Sequence, residues 1–254
     1  MVRFRRRIFQ AVAFFTLLAG SLACSHGYQV SQQPQGQPIA VTAATGSDAA
    51  FEQKIAPYKA RLDSAMNVVI GYAPAELTKK EWESTLGNFV VDLMMVQARL
   101  YTKEPLDLAV TTNGGLRNPL PKGNVTVGHV YELMPFENEL VVVKVKGSTL
   151  QKLFNLAAAK KTVPMANVSY TIQGNRPFDI KIGGAPLNPS QTYAVVISDY
   201  LANGGDNMQF FKDGEEALIL GITVRQAILN HIQTLTAAGQ PVAAQLDGRV
   251  QLTD

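Results

Sequence analysis

Three short stretches of this 254-residue chain combine glycine turns with side chains able to hold a small polar ligand. The first is Thr111-Thr-Asn-Gly-Gly-Leu-Arg117. Its paired glycines let backbone amides approach an anion closely, and Arg117 adds a forked donor that fits a phosphate or carboxylate. The second, Glu132-Leu-Met-Pro-Phe-Glu-Asn138, places Phe136 beside Pro135 and just ahead of Asn138. The third, Ser198-Asp-Tyr-Leu-Ala-Asn-Gly-Gly-Asp-Asn207, ends in a Gly-Gly turn that could present Tyr200 and Asp206 to a ligand. Each stretch also has a plainer reading. Asn-Gly is ordinary turn chemistry, and a Phe before an apolar strand is commonly a core residue.

The elements around these loops set where their side chains can point. Asp48 to Leu62 reads as a short helix interrupted by Pro57, and Met66, Val68 and Ile70 alternate as a strand. Thr78-Lys-Lys-Glu81 has the form of a capping box opening a helix, whose apolar face is Trp82, Leu86, Phe89, Val90 and Leu93, continuing through Gln97 to Leu100. Asp107 to Thr111 predicts a short strand running into the first loop. Leu140 to Lys146 alternates Val141, Val143 and Val145 against Lys144 and Lys146, which predicts a half-exposed strand. Leu150, Leu153, Phe154 and Ala157 mark a helix. Val168 to Ile172, Asp179 to Ile182 and Tyr193 to Ile197 predict three more strands. Thr223-Val-Arg-Gln226 opens a last helix that runs to about Ala238, before Gly239 and Pro241. Strands and helices mix without strict βαβ alternation, so the expected class is α+β, with a mixed β-sheet and flanking helices.

Much catalytic chemistry is excluded. The chain has no G-x-S-x-G, H-E-x-x-H, G-x-x-x-x-G-K-[ST] or G-x-G-x-x-G. One cysteine and three histidines (His26, His129, His231) cannot build a zinc finger or a His-rich dinuclear centre. His129 reads as a structural or surface imidazole and His231 as helix packing. The formal charge of +3 comes from Arg3, Arg5, Arg6 and Arg7; beyond residue 23 there are nineteen basic against twenty acidic residues. A near-neutral chain gives no electrostatic footprint for nucleic acid.

Those arginines form the positive end of a signal peptide over residues 1–23. The apolar run Ala11 to Leu18 and the mostly small residues Ser21-Leu-Ala23 complete it. The single cysteine follows at once, and Ala19-Gly-Ser-Leu-Ala-Cys24 resembles a bacterial lipobox, which implies acylation at Cys24. Ser25 to Ser47 has no charged residue and five glutamines, a flexible tether extending the lipobox region over 24–50. The expectation is an exported envelope lipoprotein, in the periplasm or at the outer membrane, held to the membrane by its lipid anchor.

Taken in order, Asn113-Gly-Gly-Leu-Arg117, Pro135-Phe-Glu-Asn138 with the valine-rich strand and Gly147 that follow it, and Tyr200-Leu-Ala-Asn-Gly-Gly-Asp206 resemble the C-terminal domain of 5′-nucleotidases. The resemblance covers about residue 51 to the C-terminus. It implies a nucleoside- or nucleotide-binding domain, with Phe136 and Tyr200 as the pair that sandwiches the base. Tyr200 stands at a position often held by Phe. Asp206 matches the acid that binds the ribose hydroxyls, Asn138 a polar residue near the base, and Arg117 an arginine on the phosphate side. Either Thr112 or Asn113 is the counterpart of the family's first asparagine. Glu137 stands where Gly is common, which adds negative charge and bulk near the base, and Lys79 and Lys80 are the nearest residues to the phosphate-side arginines that the family places before the Leu86-Gly-Asn88 segment. Such enzymes hold their metals in an N-terminal metallophosphoesterase domain. The implied role is the recognition half of a split 5′-nucleotidase, with no catalytic residue or cofactor of its own. Divalent metals would belong to a separate exported metallophosphoesterase chain. The alternative is an envelope lipoprotein that binds nucleosides or nucleotides without hydrolysis.

Overall fold

The computed structural model describes residues 36, 40–42, 46–215 and 217–253; the signal-like segment, Cys24 and most of the tether lie outside them. Helix α1 spans Ala49–Met66 and passes through Pro57 as one element, longer than the interrupted helix expected, and none of its residues is buried. Strand β1 accordingly starts later, at Val69–Ala73, with Ile70 and Ala73 inward. It pairs antiparallel with β3, Gly123–Thr126.

Helix α2, Thr85–Tyr101, begins seven residues after Thr78, the expected cap. Its N-cap is Ser84, whose Oγ accepts from Gly87 N at 3.1 Å. Trp82 has φ +65°, a left-handed backbone that cannot continue a helix, so Thr78 to Lys80 are irregular and Glu81 to Glu83 form a bend. The Trp82 amide instead donates to Lys161 O at 2.7 Å, and the Lys161 ammonium lies over the indole at 5.3 Å. Leu86, Phe89, Val90 and Leu93 are buried as the spacing predicts, Gln97 is buried with them, and Leu100 is exposed. A capping box does form further on. Thr126 and His129 exchange bonds at the start of α3, Val127–Leu133, so His129 is structural.

The central sheet has five strands in the order β10-β4-β9-β2-β5. These are β2, Leu108–Val110; β4, Glu139–Lys146; β5, Met165–Ala166; β9, Thr192–Ser198; and β10, Leu218–Thr223. β2 and β9 run parallel, whereas β4 is antiparallel to β9, giving the mixed sheet of an α+β fold. Strand β4 differs from its half-exposed expectation because both of its faces are covered. Leu140 and Val142 pack with α2 and with α6, Val224–Ala237. Val141, Val143 and Val145 pack with Leu150, Leu153 and Phe154 of α4, Gly147–Lys160. Glu139 and Lys144 are partly exposed and Lys146 is exposed, with Lys144 in an ion pair with Glu104. Gly147 lets α4 start against the chain crossing it, since a Cβ there would lie 2.1 Å from Asn188 O. A second sheet, ordered β11-β6-β7-β8, contains β6, Val168–Gln173; β7, Arg176–Ile182; β8, Ala185–Pro186; and β11, Val250–Thr253.

Two polar features tie the C-terminal part to α2. Arg249 donates to both carboxylate oxygens of Asp92 (2.9 Å each) and to Asp247 (2.7 Å), and this contact holds the Asp247 carboxyl below its usual range. His231 packs edge-on against Phe89, with its pKa lowered by burial.

Candidate functional site

Sheet register brings the three loops together. β2 and β9 are parallel neighbours, so the loops leaving their C-terminal ends emerge at the same edge of the sheet. β4 is antiparallel to β9 with Leu140 opposite Ser198, so the segment entering β4 arrives at that edge too. A cleft of about 340 Å³ opens there. Thr112, Arg117, Phe136, Asn138, Tyr200 and Asp206 line it, with Met134, Leu201 and Val224 among the apolar floor.

The third loop is the most constrained. Ser198 caps the short helix α5, Asp199–Ala202, and Asp199 Oδ1 accepts from Glu139 N (3.1 Å) and Tyr200 N (2.7 Å). The chain then turns through Gly204 at φ +90° into Asp206 at φ +49°, a left-handed backbone that a short polar side chain tolerates. Gly205 is required by packing, since a Cβ there would lie 2.4 Å from the Tyr200 ring. The ring leans on this turn, half-exposed toward the cleft, and its hydroxyl donates to Asp206 Oδ1 at 3.1 Å. Across the cleft Thr112 Oγ1 donates to Asp206 Oδ2 at 2.5 Å. Both oxygens of the carboxylate are thus tethered.

Phe136 is half-buried, packed against the core beneath α2 and α6, with its ring also bordering the cleft. The Arg117 guanidinium lies 5.3 Å from its centroid and makes one bond, to Gly114 O at 3.3 Å. Asn138 is half-buried; its carbonyl takes the Val224 amide at 2.9 Å, and its side chain borders the cleft. Asn113 lies in the first loop but off the cleft wall. Its Nδ2 donates to Lys80 O at 3.0 Å, and its Oδ1 is buried without a hydrogen-bond partner. Thr112 is the residue of that pair on the wall.

One positioning residue, Arg225, carries no site motif of its own in the sequence, and Lys79, expected on the phosphate side, is turned to backbone carbonyls of the first loop. Arg225 is buried, and its guanidinium donates to Met134 O and Phe136 O at 3.3 Å, pairs with Glu137, and lies 4.2 Å from the Tyr131 ring. Glu137, expected to add charge beside the base, is turned to Arg225 and does not line the cleft. A cation in the first turn opposes the helix dipole, and that was the available signal. Lys79 donates to Leu116 O (2.5 Å), Arg117 O (3.1 Å) and Asn113 O (3.4 Å), gathering the first loop's carbonyls. Among the described residues no group of three or more His, Cys, Asp or Glu is placed to hold a metal ion. Among those residues, too, no helix is long and apolar enough to cross a membrane.

Known proteins are similar to this chain in sequence and in fold. A trifunctional nucleotide phosphoesterase protein, YfkN of Bacillus subtilis, is 26% identical over 221 residues, covering 79% of this chain and 15% of its own. The cell wall protein Lmo0130 of Listeria monocytogenes is 28% identical over 219 residues, covering 75% of this chain and 28% of its own. The crystal structure of a 5′-nucleotidase precursor from Thermus thermophilus superposes with a TM-score of 0.69 at 27% identity, over 83% of this chain and 45% of that one. The chain therefore spans less than half the length of each of these relatives. Residues 65–213, more than half the chain, match the family described as "5'-nucleotidase, C-terminal domain", and the protein belongs to that family.

Proposed function

We propose that this chain is the nucleoside- and nucleotide-recognition half of a two-chain 5′-nucleotidase. The observation that carries the reading is the convergence of Phe136, Tyr200 and a doubly tethered Asp206 on one cleft. Two aromatic walls suit a planar base, and a fixed carboxylate suits sugar hydroxyls. Arg117 supplies a fork for phosphate, and Asn138 an amide for the base edge. The division of labour draws support from what the cleft carries: aromatic walls, a tethered carboxylate and an arginine fork, all groups that recognise a ligand. Metal-assisted hydrolysis would then be supplied by a separate exported metallophosphoesterase holding the divalent ions.

The purified chain is expected to bind AMP or adenosine but to release no phosphate, with or without Mn²⁺, Zn²⁺ or Co²⁺. Adding the partner phosphoesterase restores turnover. Robust metal-dependent hydrolysis of AMP by the chain alone, or a stoichiometric transition metal in the pure protein, overturns the proposal.

The same reading places the protein in the cell envelope, acylated at Cys24. Support comes from the lone cysteine behind a signal-like segment and from a relative named as a cell wall protein. Several acyl chains anchor firmly where one is marginal. Cys24→Ser should therefore move the protein from the membrane to the soluble fraction. Unchanged tight membrane association of the variant counts against the anchor.

A further inference from the structure

The hydroxyl of Tyr200 has no part in stacking, because a phenylalanine ring would form the same wall. In this chain it is spent on Asp206. Tyr200 OH reaches Oδ1 at 3.1 Å and Thr112 Oγ1 reaches Oδ2 at 2.5 Å, from segments 88 residues apart in sequence. The Tyr200 ring is kept over the Gly204-Gly205 turn by the missing Cβ at Gly205, which brings its hydroxyl to the carboxylate. Thr112 is buried, so its hydroxyl has little freedom to turn elsewhere.

A carboxylate has about four lone-pair positions, two per oxygen. One on each oxygen is taken here. Rotation about the Asp206 Cβ–Cγ bond would break at least one of the two bonds, so the carboxylate plane is fixed. Asp206 is exposed, and each oxygen keeps one acceptor position for a ligand. Two acceptors at fixed separation match two neighbouring hydroxyls on one face of a sugar ring. A sugar with a single hydroxyl there can satisfy only one of them.

Resting on the ligand assignment above, we infer that Tyr200 and Thr112 are positioning residues that set sugar selectivity. By fixing Asp206 as a two-point acceptor they make the cleft select a cis-diol, hence ribonucleosides and ribonucleotides over 2′-deoxy ligands. Neither residue needs to touch the sugar to do this.

The test is calorimetric titration of the full chain with adenosine, 2′-deoxyadenosine and adenine, on wild type and on Tyr200→Phe, Thr112→Val and Thr112→Ser. Wild type should prefer adenosine to 2′-deoxyadenosine by about tenfold, the size of one charge-assisted hydrogen bond. Tyr200→Phe and Thr112→Val should each bring that ratio down to about two- to threefold, with a larger loss on adenosine than on adenine. Thr112→Ser, which keeps the donor, should restore it. A purely structural lesion would weaken all three ligands together, so the ratio is the decisive readout. The inference is overturned if Tyr200→Phe and Thr112→Val keep the wild-type ratio, or if adenosine and adenine fall alike. Those outcomes leave the nucleoside reading standing. Failure of wild type to bind any of the three ligands overturns both.

Discussion

Phe136→Ala and Tyr200→Ala should each weaken adenosine binding by about 1–3 kcal/mol, the usual contribution of one aromatic wall to base stacking. The two variants should differ in instructive ways. Tyr200 is half-exposed, so its truncation removes little packing and should leave the melting temperature nearly unchanged. Phe136 is half-buried against the core, so Phe136→Ala should also cost about 1–2 kcal/mol of stability, below the roughly 3–5 kcal/mol of a fully buried Phe. Tyr200→Ala additionally frees Asp206 from its phenol donor, so it should harm adenosine more than adenine, whereas Phe136→Ala should harm both alike. Titration calorimetry beside thermal melts reads all of this. Affinities unchanged in both variants, with a sharp fall in melting temperature for Phe136→Ala, would mean that Phe136 is core and Tyr200 surface.

The three loops were legible in the sequence because each carries its own turn chemistry next to an apolar strand. Their meeting point was not legible from any one of them. It follows from the parallel pairing of β2 with β9 and the antiparallel pairing of β4 with β9, a property of strand order that local periodicity does not encode. The α+β class and the capping of α6 by Thr223 needed only local signals, and the structure shows both. Local signals misled where tertiary contacts compete with them. Thr78-Lys-Lys-Glu81 satisfies a capping box on paper, yet the Lys79 ammonium is held by the carbonyls of the first loop and the Trp82 backbone by Lys161. The helix starts only once those contacts are made. The alternation of β4 suggests one wet face, but two helical layers cover the strand and leave only its charged residues, Glu139, Lys144 and Lys146, in contact with solvent. Thr112 and Asn113 were indistinguishable as residue types. Only the turn geometry puts the threonine hydroxyl on Asp206 and the asparagine amide on Lys80.

Arg225→Met should destabilise the domain by about 2–4 kcal/mol and loosen the cleft as well. Only 6% of the Arg225 surface is exposed, and its methionine replacement keeps most of the apolar stem. What is lost is the fork. The carbonyls of Met134 and Phe136 lie in an irregular turn, and without Arg225 they lose the hydrogen bonds it donates. Each inadequately satisfied buried acceptor costs about 1–3 kcal/mol, and the face of Tyr131 loses its cation besides. For a domain of this size, about 2–4 °C of melting temperature follows each kcal/mol, so a fall of about 5–15 °C is expected. Adenosine affinity should fall too, because the turn that aims Phe136 is no longer pinned. Glu137→Gln separates the causes. The Glu137 side chain is 74% exposed, so its ion pair should be worth less than about 1 kcal/mol, and the variant should melt close to wild type and bind normally. Arg225→Lys should fall between, since one ammonium cannot match the geometry of a planar fork. If Arg225→Met proves no more harmful than Glu137→Gln, the arginine acts only through its ion pair, and the turn that carries Phe136 is held by something else.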